Sequence, residues 1–138
     1  MRIFATLALT VLTMAAAVAQ TGPVKRITWN ELAADPGRYM GQQIEIAAAY
    51  CTQGGASGDG PGYQCSTDGD VYIAASSLSP AGAKKKVDES CGGIDLIERS
   101  SFCRARVRFT PSSFGKSIDI DPPKTVLLVN TAEVYLTF

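Results

Sequence analysis

The chain has 138 residues, 46% apolar, 19% charged and 8% aromatic, with 13 basic and 13 acidic side chains and no histidine. That length fits one domain of ordinary size. Zero formal net charge offers no field to attract nucleic acid in general or to grip a membrane as a polybasic surface does, and the lack of histidine removes Ser-His-Asp and Cys-His catalysis, imidazole metal sites and histidine pH switches together.

Residues 1–19 carry one early positive charge, Arg2, then an apolar run broken only by threonines, and close on Ala17-Val18-Ala19 before Gln20. Small residues at the first and third places before the cut suit signal peptidase, so the segment reads as a secretory signal peptide. The rival is an uncleaved anchor. The run has about the minimum length for a spanning helix and is rich in Ala and Thr, which favours cleavage. No cysteine stands at the junction, as a lipoprotein would need; the first is Cys51. Cleavage removes Arg2 alone among the charges and leaves 12 basic against 13 acidic groups, a net charge of −1. The expected product is periplasmic or secreted, with no stable membrane insertion after signal cleavage.

Residues 20–26 read as a flexible polar leader and 27–138 as a single domain. Thr28 and Glu31 have the spacing of a capping box, and Ile27 and Leu32 that of a hydrophobic staple, which predicts a short helix over 29–34 that stops at Asp35-Pro36-Gly37. Residues 43–50 alternate, with Ile44, Ile46, Ala48 and Tyr50 on one face and Gln43 and Glu45 opposite, so they predict the first strand. Residues 53–62 are glycine-rich and read as a loop. A brief strand over 63–66 turns at Asp68-Gly69 and pairs with a third strand over 71–75. A second helix is expected over 81–87. Residues 101–109 alternate again, with Cys103, Ala105, Val107 and Phe109 inward and Arg104, Arg106 and Arg108 outward. Residues 111–123 read as a loop. Residues 125–138 form a long final strand, apolar on both faces over 126–129, with Asn130 and Thr131 marking a bulge or bend that lets one strand serve two neighbours.

Cys51, Cys65, Cys91 and Cys103 are an even set in an exported chain, which favours two disulfides. Their spacings of 14, 26 and 12 lack the close pairs of a four-thiolate zinc site, and no Cys-x-x-Cys exists for redox chemistry. No metal or cofactor is expected. Three connectivities are open; the preferred one is Cys51–Cys65 with Cys91–Cys103, because each closes a moderate loop around a chain reversal.

Five strands with a helix between the third and fourth follow the order of the OB-fold, a five-stranded Greek-key barrel. The segment Trp29-Asn30-Glu31-Leu32, then Pro36-Gly37-Arg38-Tyr39-Met40-Gly41-Gln42-Gln43-Ile44-Glu45-Ile46, resembles the opening of exported bacterial OB-fold proteins, where a short helix, an aromatic and a glycine precede the first barrel strand. The resemblance implies a mainly β, OB-fold-like barrel over 27–138 and implies little about role. The four cysteines lie outside any general OB-fold pattern and mark a distinct exported subgroup.

Two constellations are candidate binding groups. Arg104, Arg106 and Arg108, with Arg99 before them, make a row whose like charges repel unless carboxylates or anions answer them. A solvated face balanced by Glu45, Asp119, Asp121 or Glu133 is the plainer reading; a stripe for phosphate, carboxylate or an acidic polymer is the functional one. Tyr50, Tyr63 and Tyr72 fall on the first three strands, where OB-folds present their binding face; they either stack on bases or sugar rings or fill the barrel and its rim.

Other motifs carry less. Phe114-Gly115-Lys116-Ser117 lacks the first glycine of a P-loop. Asp59, Asp68 and Asp70 lack EF-hand spacing and read as turn residues. Asp119 and Asp121 are a conceivable carboxylate pair, and Ser76, Ser77 and Ser79 with Lys84, Lys85 and Lys86 a conceivable Ser-Lys pair, with no supporting spacing.

The expected function is a non-enzymatic binding or accessory module of the cell envelope, contacting a protein, an oligosaccharide or an anionic ligand through the first three strands and the loop over 54–62. The alternatives are single-stranded nucleic-acid or oligosaccharide binding on the same face, nucleic acid being disfavoured, and a hydrolase using carboxylates or a Ser-Lys pair.

Overall fold

The computed structural model describes residues 22–54, 62–66, 70–92, 101–120 and 123–138. The predicted signal peptide, most of the glycine-rich loop, and Asp59, Asp68, Arg99 and Asp121 lie outside the described residues.

The elements in chain order are β1 (Lys25–Arg26), α1 (Trp29–Ala34), β2 (Ile44–Gln53), β3 (Tyr63–Ser66), β4 (Val71–Ser79), α2 (Ala81–Ser90), β5 (Arg104–Phe109), β6 (Ser113–Ile120) and β7 (Pro123–Thr137), with 3-10 turns at Pro36–Tyr39 and Ser101–Cys103. Strands β2, β3, β4, β7 and β5 pair in that order, and β5 pairs back to β2. The ring is a closed five-stranded barrel, antiparallel except for the parallel β4–β7 pair. Closure leaves no free edge within the ring. Two extra strands flank it, β1 beside β2 and β6 beside β7.

Local chemistry explains the elements. Thr28 accepts a hydrogen bond from the Glu31 amide while the Glu31 carboxylate accepts one from the Thr28 amide, the reciprocal cap expected from the sequence. A cap of this kind contributes about 1 kcal/mol. Ile27 and Leu32 are both buried in the main core. Inside the barrel, Ile44 and Ile46 of β2, Val71 and Ile73 of β4, Val107 of β5, and Val129 and Val134 of β7 are almost wholly buried. Ala83 and Val87 of α2 join that core, so the helix between the third and fourth barrel strands packs its apolar stripe against the barrel.

Both disulfides take the preferred pairing, Cys51–Cys65 across the β2–β3 ladder and Cys91–Cys103 from the end of α2 to the start of β5. Each closes a loop of 14 or 12 residues and restricts the unfolded chain by about 3 kcal/mol.

Several expectations need correction. Lys25 and Arg26, assigned to a leader, already pair with Ile44 and Glu45. Residues 113–120, expected to belong to a loop over 111–123, form β6 and pair with β7 from Asn130 to Pro123; Pro111 and Pro123 lie outside the stretch and bound a strand rather than forbidding one. Residues 101–103 are a 3-10 turn, and Cys103 packs with Cys91 and Tyr50 in a cluster separate from the core.

The single inward face proposed for β2 is also broken. The β2–β5 register shifts between Ile46 and Ala49, and Ala48 takes a left-handed backbone with φ 63°. Beyond this bulge Ala49 and Cys51 point inward, and Tyr50 turns to the outside of the barrel. The Trp29 indole donates to the Ala47 carbonyl at 3.2 Å, so α1 satisfies a group the bulge releases from the ladder.

The bend expected near Asn130–Thr131 is a change of both neighbour and face. On one side β7 pairs with β6 up to Asn130 and with β5 from Val134 on. Val129 and Thr131 are buried before the change, Val134 and Leu136 after it. Glu133 and Tyr135 consequently stand on the exposed outer face.

Candidate anion-binding site

Period two along β5 buries Ala105, Val107 and Phe109 and sends Arg104, Arg106 and Arg108 outward. Glu45, between the buried Ile44 and Ile46, stands on the same outer surface of β2. Register places Arg26 opposite Glu45, Glu45 opposite Arg108, Arg108 opposite Tyr135 and Tyr135 opposite Ser79. One row of side chains thus crosses five adjacent strands, roughly 19 Å at the usual strand spacing.

Glu45 is the hub. Arg26 Nε donates to its Oε1 at 3.1 Å, Arg108 donates through Nη2 at 3.0 Å and Nε at 3.3 Å to Oε2, and Arg106 Nε lies 3.6 Å from Oε1. The carboxylate is 5% exposed, whereas Arg26, Arg106 and Arg108 are 81%, 51% and 38% exposed. Burial alone pushes the Glu45 pKa up; the hydrogen bond from Arg108 and the charges of Arg108, Arg26 and Arg106 outweigh it and hold the group below its ordinary 4.5. Glu45 is therefore ionised at neutral pH. Three guanidiniums share one carboxylate, so the cluster keeps an excess of two positive charges. Arg26 and Arg106 approach Glu45 through Nε, and among the described residues their terminal amino groups make no hydrogen bond.

The other candidates are used inside the fold. Arg104 leaves the row: its Nε donates to the Tyr50 hydroxyl at 2.9 Å and its guanidinium lies 5.1 Å from the ring centre. Tyr50 itself is buried beside the Cys91–Cys103 disulfide. Tyr63 faces the interior, where its hydroxyl donates to Asp88 of α2 at 2.8 Å. Tyr72 is half-buried on β4, in register with Ser66. The three tyrosines do not form one open platform. The six candidate residues do not form one site: Arg106 and Arg108 meet at Glu45 with Arg26, and Tyr135 lies beside Arg108, neither Arg26 nor Tyr135 being among the candidates, while Arg104 and Tyr50 pair apart from them. A signal for Tyr135 existed: the inward period of Val134 and Leu136 sends it outward.

Elsewhere Lys84 donates to Asp88 at 2.7 Å. That hydrogen bond, with one to Tyr63, raises the Lys84 pKa, the reverse of what a lysine base requires. Ser77 donates to the Ala132 carbonyl. Asp119 lies on β6 opposite Lys124, and its proposed partner Asp121 is outside the described residues. Among the described residues no cluster of three or more metal-ligating side chains forms, and no helix is long and apolar enough to cross a membrane.

The arrangement can bind an anion with two or more oxygens. Glu45 fixes the guanidiniums and satisfies only part of their charge, so an incoming acid meets donors that are already oriented. No family model matches the chain, and comparison with curated proteins and with solved structures finds no match either.

Proposed function

We propose that the chain is an exported, non-enzymatic binding module of the cell envelope that holds an anionic ligand on the row Arg26–Glu45–Arg106–Arg108. The observation that carries this reading is the charge imbalance at Glu45, three guanidiniums on one buried carboxylate. A face meant only to be solvated has no need of it, because like charges on neighbouring strands cost stability when unanswered. Export is supported by the pairing of all four cysteines, which suits an oxidising compartment. Kinship with exported OB-fold proteins belongs to the same proposal and is supported by the strand order and the helix between the third and fourth barrel strands.

Calorimetric titration with inorganic tripolyphosphate tests it. The wild type is expected to bind, and binding to weaken as ionic strength rises from about 0.01 to about 0.15 M, where the screening length falls from about 30 to about 8 Å. Replacing Arg26 and Arg106 by serine is expected to cost at least about tenfold, since a hydrogen bond to a charged group contributes about 1.5–3 kcal/mol. Binding unchanged in that variant, or insensitive to salt, contradicts the proposal.

A further inference from the structure

Beside the arginine row lies a surface cavity of about 440 Å³, lined by Arg108, Tyr135, Glu133, Gln43, Ser79 and Ser112 among others. Its size falls in the range of small-molecule sites and exceeds what a bare inorganic anion fills. Tyr135 is 43% exposed, with the Arg108 guanidinium 5.6 Å from its ring centre. Among the described residues, the Glu133 carboxylate, the Gln43 amide, and the Ser79 and Tyr135 hydroxyls have no hydrogen-bond partner in the protein. Ser112, by contrast, donates its hydroxyl to the Asn130 carbonyl. The cavity therefore combines the exposed ring of Tyr135, the polar groups of Glu133, Gln43 and Ser79, and a cation, Arg108, shared with the row.

Those groups match one kind of ligand. A pyranose ring offers a C–H face that packs on an aromatic ring, and a rim of hydroxyls that donate to carboxylate and amide oxygens or accept from hydroxyls. Glu133 separates this from a nucleic-acid site: an unpaired carboxylate beside the aromatic repels a phosphate backbone and favours a hydroxyl-rich ring. The acid of an acidic sugar is excluded from the Glu133 side for the same reason and is left facing Arg108. We propose that the cavity is a subsite for one ring of a uronic-acid oligosaccharide, with the ring on Tyr135, its hydroxyls at Glu133, Gln43 and Ser79, and its carboxylates directed along Arg108, Arg106 and Arg26. This rests on the anion-binding reading of the row and adds the class of ligand.

The test titrates trigalacturonate and tripolyphosphate into the wild type and four variants: Tyr135→Ala, Ala132→Trp, which fills the cavity from its exposed wall, Glu133→Gln, and the Arg26→Ser/Arg106→Ser double variant. Tyr135→Ala is expected to weaken trigalacturonate about tenfold through the loss of one aromatic contact, and Ala132→Trp, which occupies the cavity, to weaken it at least as much while leaving tripolyphosphate affinity unchanged. Glu133→Gln keeps the volume and discriminates by sign: it weakens trigalacturonate and leaves tripolyphosphate equal or tighter. The arginine variant weakens both probes. If the cavity variants bind trigalacturonate like the wild type while the arginine variant does not, the subsite is wrong and the row stands. Binding of tripolyphosphate with none of trigalacturonate likewise removes the subsite and keeps the row. If the wild type binds neither probe, both proposals fall. Circular dichroism identifies any variant that misfolds, and Glu133→Gln then decides the question alone.

Discussion

Glu45 shows how one side chain serves both fold and site. The alternation of β2 sends it outward, and register brings Arg26, Arg106 and Arg108 to it, so a carboxylate that is almost wholly buried is met by three counter-ions. Its pKa in the folded protein is lowered below 4.5, so it contributes stability that is present above that value and is lost as pH falls through the lower folded value. Glu45→Gln is expected to remove this acid-linked loss and to destabilise the protein near neutral pH, because three guanidiniums then face one another. Thermal denaturation from about pH 3 to about pH 7 checks this; the same pH slope in both proteins contradicts it. The outward arginines of β5 were legible in the sequence, and Glu45 was among their possible counter-ions. Arg26 was hidden because a two-residue parallel strand has no periodicity to reveal it. Tyr50 and Tyr63 were legible as strand residues, but their hydroxyls are committed to Arg104 and Asp88, partners set by tertiary packing alone.

At the scale of elements, the strongest local signals gave the right structure: the reciprocal cap of α1, the hairpin between β3 and β4, the alternation of β5 and the change of neighbours in β7. Failures came where a local rule was overridden. In β6 Phe114, Ile118 and Ile120 alternate with Ser113, Gly115, Ser117 and Asp119, but Lys116 falls among the apolar positions and interrupts the period. The β2 bulge sits in Ala47-Ala48-Ala49, three small residues with no period to follow, and it alone turns Tyr50 outward toward Arg104. An alanine held at φ 63° sits in a region that costs about 1–2 kcal/mol for any residue with a Cβ. Ala48→Gly relieves this and adds glycine's own entropic cost of about 0.5–1 kcal/mol. The net expectation is a gain of about 0–1.5 kcal/mol, seen as a Tm equal to that of the wild type or higher by up to about 6 °C. A lower Tm contradicts the left-handed bulge and the outward placement of Tyr50 that depends on it.

For the whole molecule, closure of the barrel makes the site. Arg26, Glu45, Arg108, Tyr135 and Ser79 come from segments far apart in sequence, and they form one row because β5 pairs with β2 on one side and β7 on the other. Strand pattern and helix position predict such a barrel, but they do not say which outward residues share a row; that depends on the registers, which the bulge and the neighbour change of β7 set. The measurement that tests the central claim most directly is a titration of isotopically labelled protein with tripolyphosphate, following backbone amides and arginine Nε–H groups by NMR. The account predicts that the largest shifts fall on Arg26, Glu45, Arg106 and Arg108, with little change at Ser66 and Tyr72. Shifts centred on Ser66 and Tyr72, with the arginine Nε–H signals unmoved, would contradict it.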